Sequence, residues 1–177
     1  MKLSVKHNAE ILVGDYQFAD KVKEQVISLL DEGVPSLPHT TNVKASVHTI
    51  WNWEPDNITF RNLKGFIREE VERNFKPGIR VGGPRSWLTI STFWANLYRK
   101  GDYAQPHNHR PHCYSFAYFV KAKWYDSPLV FTDSGKRIRP KEGRYVIFPG
   151  FLNHHVPKHR YKDARITLSG NFEVEGS

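Results

Sequence analysis

Histidines in the second half of the chain stand at a spacing that suits a metal ion. His107 and His109 are two residues apart between two strand-like runs, and His154 and His155 follow the stretch 148–153. In an extended segment residues i and i+2 point to the same face, so the first two imidazoles can present nitrogens to one ion with little backbone strain. Neutral imidazole is the commonest metal ligand and suits iron, zinc, copper and nickel. The sequence therefore predicts a metal site assembled from both stretches.

The residues alone leave the third ligand of this site open. His107 and His154 are the first candidates, and His109 is the third, although it could instead be a hydrogen-bonding residue beside a water-filled position. His112 and His155 are adjacent alternatives. Because His155 points away from His154 in an extended segment, we interpret it as a structural or surface residue. Three histidines would also fit Zn(II).

The order of residues around these histidines resembles a known enzyme family. The pattern comprises Tyr98, Lys100-Gly101-Asp102, His107, His109, Ser115, Tyr118, Gly143, Phe148-Pro149, His154, Arg165 and Thr167. It is similar to that of the double-stranded β-helix oxygenases that use Fe(II) and 2-oxoglutarate, and most similar to a small subgroup, known from bacteria and phages, whose first motif reads H-x-H and not H-x-D. The resemblance covers roughly residues 86–174. It implies an α+β, mainly β fold: a double-stranded β-helix (jelly-roll or cupin-like) core with two N-terminal buttressing helices.

The resemblance implies that His107, His109 and His154 are ligands of Fe(II). The family's usual third ligand is an aspartate, so this chain departs from the commoner set. Three neutral ligands would leave Fe(II) with its full positive charge, and an anionic cosubstrate should be held more strongly in a dry site. Ser115 and Tyr118 match the family pattern, but the residues suggest no role for them.

The resemblance also implies a pocket for 2-oxoglutarate. Arg165 follows His154 by eleven residues, and its guanidinium fork would bind the distal carboxylate bidentately, which a lysine cannot reproduce. The hydroxyls of Thr167 and Tyr98 would complete the carboxylate pocket. Asn96 shares the strand face of Tyr98 and could orient the cosubstrate.

A dioxygenase is the function that this pattern predicts. It would consume 2-oxoglutarate and O2, release succinate and CO2, and hydroxylate an unknown prime substrate. A protein side chain such as peptidyl proline is the favoured substrate, and a nucleobase or a small metabolite stays open, because loops and not the metal motif select the substrate in such folds.

Two other functions are open at this stage. The first is a cupin-like three-histidine metalloprotein, either a dioxygenase of a small substrate or a structural metal site, that does not use 2-oxoglutarate. Arg165 separates it from the oxygenase, since a cupin needs no buried cation one strand beyond its last histidine. The second is a nucleic-acid-binding module, which rests on charge alone.

Composition indicates one globular domain without a membrane segment. The chain of 177 residues fits a single domain over 1–177, with a helical and loop part over 1–85 and the β core over 86–174. Aromatic residues make up 14% and suit a β-rich core. Cys113 is the single cysteine, which excludes an internal disulfide and fits a reducing compartment. No export signal or apolar run of membrane-spanning length is found, so we expect a cytoplasmic protein.

The formal net charge of +8 is spread along the chain. Basic residues concentrate locally at 99–100, 136–141 and 158–165 without a continuous run. We interpret the excess as a solvated positive surface that attracts a dicarboxylate. A nucleic acid is an open but not favoured partner.

Helical periodicity comes first in the chain and strand periodicity second. A strand is expected within 1–14, a helix over 18–30 that ends at Gly33, a loop over 34–56 with a short strand at 47–53, and a helix over 60–75 capped by Asn57 or Thr59. Further strands are predicted at 86–98, 114–122, 129–132, 144–148 and 165–174. Trp51 and Trp53 are expected to cover the β core or to anchor the loop.

Overall fold

Two antiparallel sheets and two helices make up the described part of the chain, which in the computed structural model comprises residues 8–37, 41–75 and 86–176. In chain order, the elements are β1 (Leu12–Asp15), α1 (Ala19–Glu32), β2 (Val43–Lys44), β3 (Val47–His48), α2 (Ile58–Phe75), β4 (Ser86–Tyr98), β5 (Tyr103–His107), β6 (Tyr114–Lys121), β7 (Leu129–Phe131), β8 (Arg137–Ile138), β9 (Arg144–Pro149), β10 (His154–Val156) and β11 (Arg165–Gly176). The prediction of a mainly β fold with two preceding helices is confirmed. Neither described helix is long and apolar enough to span a membrane.

The first helix follows its predicted apolar spacing. Val22 and Val26 are fully buried on the face of α1 that meets the sheet. Gly33 ends the helix with φ of 94°, a left-handed backbone that glycine adopts without steric cost. Phe18, where the helix was predicted to begin, instead directly precedes α1 and is 49% exposed.

The second helix is capped by a side chain that the sequence indicated. The Thr59 amide donates to Asn57 Oδ1 at 2.7 Å, so Asn57 satisfies one of the free amides at the start of α2. The helix begins at Ile58, two residues earlier than predicted. Its predicted end at 76–78 lies outside the described residues. The buried stripe consists of Phe60, Leu63, Ile67 and Val71.

The larger sheet separates two hydrophobic cores. Its six strands have the order β1-β9-β6-β11-β4-β3. Side chains alternate between its faces, so in β6 Tyr118 packs under the helices while Phe119 faces the smaller sheet. In β11 Ile166 likewise packs under the helices, and Arg165 lies on the opposite face. The outer face therefore holds the helices, and the inner face is left for the cavity between the sheets.

The smaller sheet has the order β2-β5-β10-β7-β8 and packs over that inner face. The second core combines residues of both sheets, among them Phe119, Val146, Phe148, Leu129, Phe131 and Val156. Four of this sheet's five strands, β2, β5, β8 and β10, were not predicted. They are two to five residues long, too short for an alternating pattern to stand out.

The loop between the helices is tied to the edge of the larger sheet. β3 pairs with β4, and isolated bridges join Ser36 to Thr49 and Asn52 to Phe93. Trp53 is buried against α2 and is a packing anchor, as predicted. Of the strand expected within 1–14, β1 forms the end, and residues 1–7 lie outside the described part.

Candidate metal centre

Three imidazoles converge between the two sheets. His107, His109 and His154 each offer a nitrogen within 4.8 Å of the others. His109 Nε2 lies 3.2 Å from His154 Nε2. The histidines that the sequence selected are thus brought together, at a spacing that one ion could bridge.

Strand pairing positions two of these histidines. His107 is the last residue of β5 and lies opposite His154, the first residue of β10, in the antiparallel register. Side chains directly opposite on paired strands lie side by side, which places the two rings together. Their ring centroids are 4.5 Å apart.

His109 reaches the cluster from a turn and not from a strand, which corrects the extended geometry expected for the pair. β5 ends at His107, and the His109 amide donates to the Gly150 carbonyl at 2.7 Å. A Cβ added at Gly150 would lie 2.2 Å from the His112 carbonyl oxygen. The absence of a side chain at Gly150 therefore lets the turn after β9 approach the His109 turn and fix it. This role of Gly150 was not predicted.

Backbone carbonyls orient two of the rings. His107 Nδ1 lies 2.7 Å from the Gln105 carbonyl oxygen, and His154 Nδ1 lies 3.0 Å from that of Leu152. Because a carbonyl oxygen only accepts, each Nδ1 carries the proton and donates, which leaves a lone pair on Nε2. This is the arrangement by which neighbouring groups prepare metal-binding histidines.

Burial keeps the imidazoles neutral. Desolvation, and then the neighbouring histidines, lower the pKa of His109 to about 2. Desolvation followed by His107 lowers the pKa of His154 to about 3, and desolvation lowers the pKa of His107 as well. Near neutral pH the three rings are uncharged and available as ligands.

A buried arginine lines the cavity that holds the imidazoles. Arg165 is 2% exposed, and its Nε and Nη1 have no hydrogen-bond partner among the described residues. Its guanidinium carbon lies 4.9 Å from the ring centre of Tyr98 and 5.0 Å from that of Phe119. Burial lowers the pKa of this guanidinium, while Tyr98 and Asp126 oppose the shift.

The other predicted pocket residues face the same cavity. Tyr98, Asn96 and Thr167 all line it. Asn96 is 3% exposed, and its Oδ1 has no described hydrogen-bond partner. In the register of β4 and β11, Arg165 pairs with Tyr98 and Thr167 pairs with Asn96, so the four side chains form a compact polar group.

The donor set fits a divalent first-row metal together with an anion. Three neutral imidazole nitrogens suit Fe(II), Zn(II) or Ni(II), and they leave the charge of the ion uncompensated. The guanidinium of Arg165, with Nε and Nη1 lacking hydrogen-bond partners among the described residues, is a second positive group in the same cavity. A buried cation without a partner is costly, so a dianion between metal and arginine would satisfy both.

An open pocket adjoins the imidazoles on the side away from Arg165. Its lining includes His107 and His109 together with Asn42, Trp51, Thr92, Trp94, Asn108, Arg110, His112 and Asn171. Trp51 is 40% exposed and contacts Trp94 edge to face at 4.9 Å between centroids. The lining residue Asn171 is held by two hydrogen bonds: buried Ser115 Oγ donates to Asn171 Oδ1 at 2.8 Å, and Asn171 Nδ2 donates to Thr92 Oγ1 at 2.9 Å.

Some residues of the sequence pattern lie elsewhere. The Tyr118 hydroxyl is buried under the helices without a described partner. His155 Nδ1 lies 3.2 Å from Thr132 Oγ1, outside the imidazole cluster, as expected for a strand neighbour of His154. His112 Nδ1 lies 3.0 Å from Glu173 Oε1. Trp94 and Asn171, which line the open pocket, were missed, although both lie on predicted strands in phase with the site residues.

Solved structures share this fold at low sequence identity. The viral collagen prolyl hydroxylase of Paramecium bursaria Chlorella virus-1, in complex with 2-oxoglutarate, has a TM-score of 0.67 at 14% identity over 92% of this chain and 94% of its own. A prolyl hydroxylase from Trichoplax adhaerens, in complex with a hypoxia inducible factor peptide fragment, gives 0.67 at 14% over 92% and 82%. HygX from Streptomyces hygroscopicus, with nickel, 2-oxoglutarate and hygromycin B bound, gives 0.63 at 11% over 93% and 82%. These likenesses confirm the coarser prediction of a mainly β fold with two helices and antiparallel sheets.

Sequence comparisons add nothing to this result. No protein-family model matches the chain. No curated protein matches it either.

Proposed function

We propose that the chain is an Fe(II)- and 2-oxoglutarate-dependent dioxygenase. The observation that supports this most is the presence, in one cavity, of three neutral imidazoles and a buried guanidinium whose Nε and Nη1 have no hydrogen-bond partner among the described residues. Structures of the same fold hold 2-oxoglutarate. The two sheets would correspond to the double-stranded β-helix of those enzymes, with α1 and α2 as buttresses, and residues 1–177 would form one domain.

In this proposal His107, His109 and His154 hold the iron. The distal carboxylate of 2-oxoglutarate binds the fork of Arg165, assisted by the hydroxyls of Tyr98 and Thr167, and Asn96 orients the cosubstrate. The iron together with 2-oxoglutarate would supply the activation of O2. The reaction would release succinate and CO2 and deliver one oxygen atom to the prime substrate. The aromatic rings around the cavity exclude water and strengthen the charge pairing.

We infer that the prime substrate is a protein side chain, with peptidyl proline the first to test. The pocket beside the imidazoles is open to solvent and has Trp51 at its edge, which suits an extended segment that enters from outside. Two of the similar structures are prolyl hydroxylases, one of them with a bound peptide. HygX was solved with hygromycin B, so a small molecule is the outcome to compare.

A cupin-like protein without 2-oxoglutarate would share the three histidines but would have no use for Arg165. The orphaned Nε and Nη1 of that side chain therefore favour the oxygenase.

The test is anaerobic spectroscopy of the Fe(II) protein. Addition of 2-oxoglutarate should produce a metal-to-keto-acid charge-transfer band in the visible region. The matched control is the His107→Ala, His154→Ala double variant, which should bind no iron and give no band. Iron retained at one equivalent in that variant would refute the assignment of the metal ligands, whereas no 2-oxoglutarate binding by the wild type would favour the cupin-like alternative. Mass spectrometry of proline-containing peptides after turnover would then address the substrate, with a gain of one oxygen as the expected result.

A further inference from the structure

Three loops meet at the end of the sandwich where β4, β6 and β10 finish. They are 99–102, 122–128 and 157–164. The Gly101 amide donates to the His159 carbonyl at 2.8 Å, and the His159 amide donates to the Asp102 carbonyl at 2.7 Å. Lys123 forms an ion pair with Asp163. These contacts hold the three loops as one surface.

Three aromatic rings stand on this surface. Trp124 is 72% exposed, the highest value among the large hydrophobic side chains described, and Tyr161 is 41% exposed. Trp124 contacts Tyr125 edge to face at 5.6 Å between centroids, and Tyr125 contacts Tyr161 at 4.5 Å. Because Tyr125 can cover at most one face of the Trp124 indole and the side chain is largely exposed, at least one face of this ring is open to a ligand.

The same loops are rich in exposed positive charge. They carry six exposed cations: Arg99, Lys100, Lys123, Lys158, Arg160 and Lys162. Against these stand the three carboxylates of the loops, Asp102, Asp126 and Asp163, which leaves a formal charge of +3 of the chain's +8. Among the described carboxylates, none lies within ion-pair distance of Lys100, Arg160 or Lys162. The fold thus brings together the basic residues of 99–100 and 158–165, two of the three stretches in which they concentrate in the sequence.

This surface lies away from the open pocket of the metal centre. On β4, Tyr98 adjoins the loops and Thr92 lines the open pocket. On β11, Arg165 adjoins the loops and Asn171 lines the open pocket. Six residues of strand separate each pair, or about 20 Å at a rise of about 3.3 Å per residue. A long ligand on the loops would leave the pocket accessible.

We propose that this surface binds single-stranded nucleic acid. It consists of Trp124, Tyr125, Tyr161 and the six exposed cations. The cations attract the phosphate backbone, and the open ring faces stack on bases. Unpaired bases present such faces, whereas bases in a duplex are stacked on each other, so a single strand fits better than a double strand. The proposal does not depend on the oxygenase activity.

The experiment measures the fluorescence anisotropy of a fluorescein-labelled, 20-nucleotide single-stranded DNA of mixed sequence, titrated with the full chain. We expect the affinity to fall with salt, with a slope of about −2 to −4 in log–log form for about three to six phosphate contacts. Trp124→Ala should weaken binding by about 5- to 150-fold, the loss expected for one stacked base. Phe18→Ala removes another exposed aromatic ring, distant in sequence, and should leave the affinity unchanged.

A matched pair of charge reversals tests the cations. Arg160→Glu with Lys162→Glu should weaken binding by more than about tenfold, because it removes two phosphate contacts. Lys136→Glu with Arg137→Glu makes the same change in net charge at the third basic concentration and should stay within about threefold of the wild type, because neither residue belongs to the three loops that form the proposed binding surface.

Several results would overturn the proposal. No binding of the strand at 50 mM NaCl is one, and equal losses in the two charge-reversal variants is another. Heparin or duplex DNA bound as tightly as the single strand, with no effect of Trp124→Ala, would show a general polyanion surface. Tighter binding of polyglutamate than of the strand would indicate an acidic protein partner.

Discussion

Replacing Arg165 with methionine should remove 2-oxoglutarate binding without unfolding the protein. Loss of one partner of a buried, hydrogen-bonded charge pair costs roughly 2–5 kcal/mol, which is about 30-fold to several thousand-fold in affinity. Burying the guanidinium with Nε and Nη1 unpartnered costs several kcal/mol in the free protein. Its contacts with the rings of Tyr98 and Phe119 offset only about 0.5–2 kcal/mol each. The variant without cosubstrate should therefore be as stable as the wild type, or more so.

Thermal unfolding of the metal-loaded protein, with and without 2-oxoglutarate, measures both effects. At a ligand concentration 100 times Kd, the wild type gains about 2.7 kcal/mol, which in a protein of this size raises Tm by about 5–10 °C. In Arg165→Met a loss of affinity of 30-fold or more should reduce this gain to about 0.9 kcal/mol or less, which corresponds to about 3 °C or less. Arg165→Lys should recover part of it, since the ammonium keeps the charge but lacks the fork. Arg137→Met, the same change at an exposed position, is the control. Wild-type affinity in Arg165→Met would refute the reasoning.

Three further predictions concern the histidines of the metal centre and Tyr118. His109→Asp should retain one equivalent of Fe(II) in equilibrium dialysis, because a carboxylate is a common third ligand beside two histidines; a folded but metal-free variant would show that His109 does not face the ion. Tyr118→Phe should leave 2-oxoglutarate affinity unchanged and thermal stability equal or slightly higher, because the buried hydroxyl lacks a described partner; a tenfold loss of affinity would contradict its place under the helices. In the metal-free protein the pKa values of His154 and His109, about 3 and about 2, lie below the ordinary 6.5. The unfolded chain therefore binds protons first as the pH falls, and the free energy of unfolding should be constant above about pH 6.5 and decrease below it. Urea denaturation between pH 7 and pH 4 measures this, and an unchanged slope in the His109→Gln, His154→Gln variant would argue against it.

The helices and the long strands could be predicted from the sequence, whereas the pairing of the short strands through backbone hydrogen bonds could not. Both helices and the long strands β4, β6 and β11 appear within about two residues of their predicted bounds because their apolar spacing is sustained. The strands that carry His107 and His154 are five and three residues long, and only the folded chain shows that they pair.

The site residues were predictable as residue types, while their geometry came from neighbours without chemical function. Gly150 permits the turn that carries His109, and nothing in the sequence distinguishes this glycine from a simple turn residue. The surface formed by three loops was also hidden, because Trp124 and Tyr161 are 37 residues apart in the chain. Only the folded chain brings these aromatic rings and the dispersed basic residues together on one surface.

The strict alternation of side chains along β11 limits the sequence changes that this protein can accept during evolution. Inward residues Arg165, Thr167, Ser169 and Asn171 alternate with outward residues Ile166, Leu168, Gly170 and Phe172. Deleting the residue after Arg165 would exchange the faces of the residues that follow it, placing Thr167 under the helices and Leu168 in the cavity. The length of β11 is therefore less free to vary than most of its individual side chains. New specificities should be more easily acquired through insertions in the loops that flank the strands, where a changed length shifts no register.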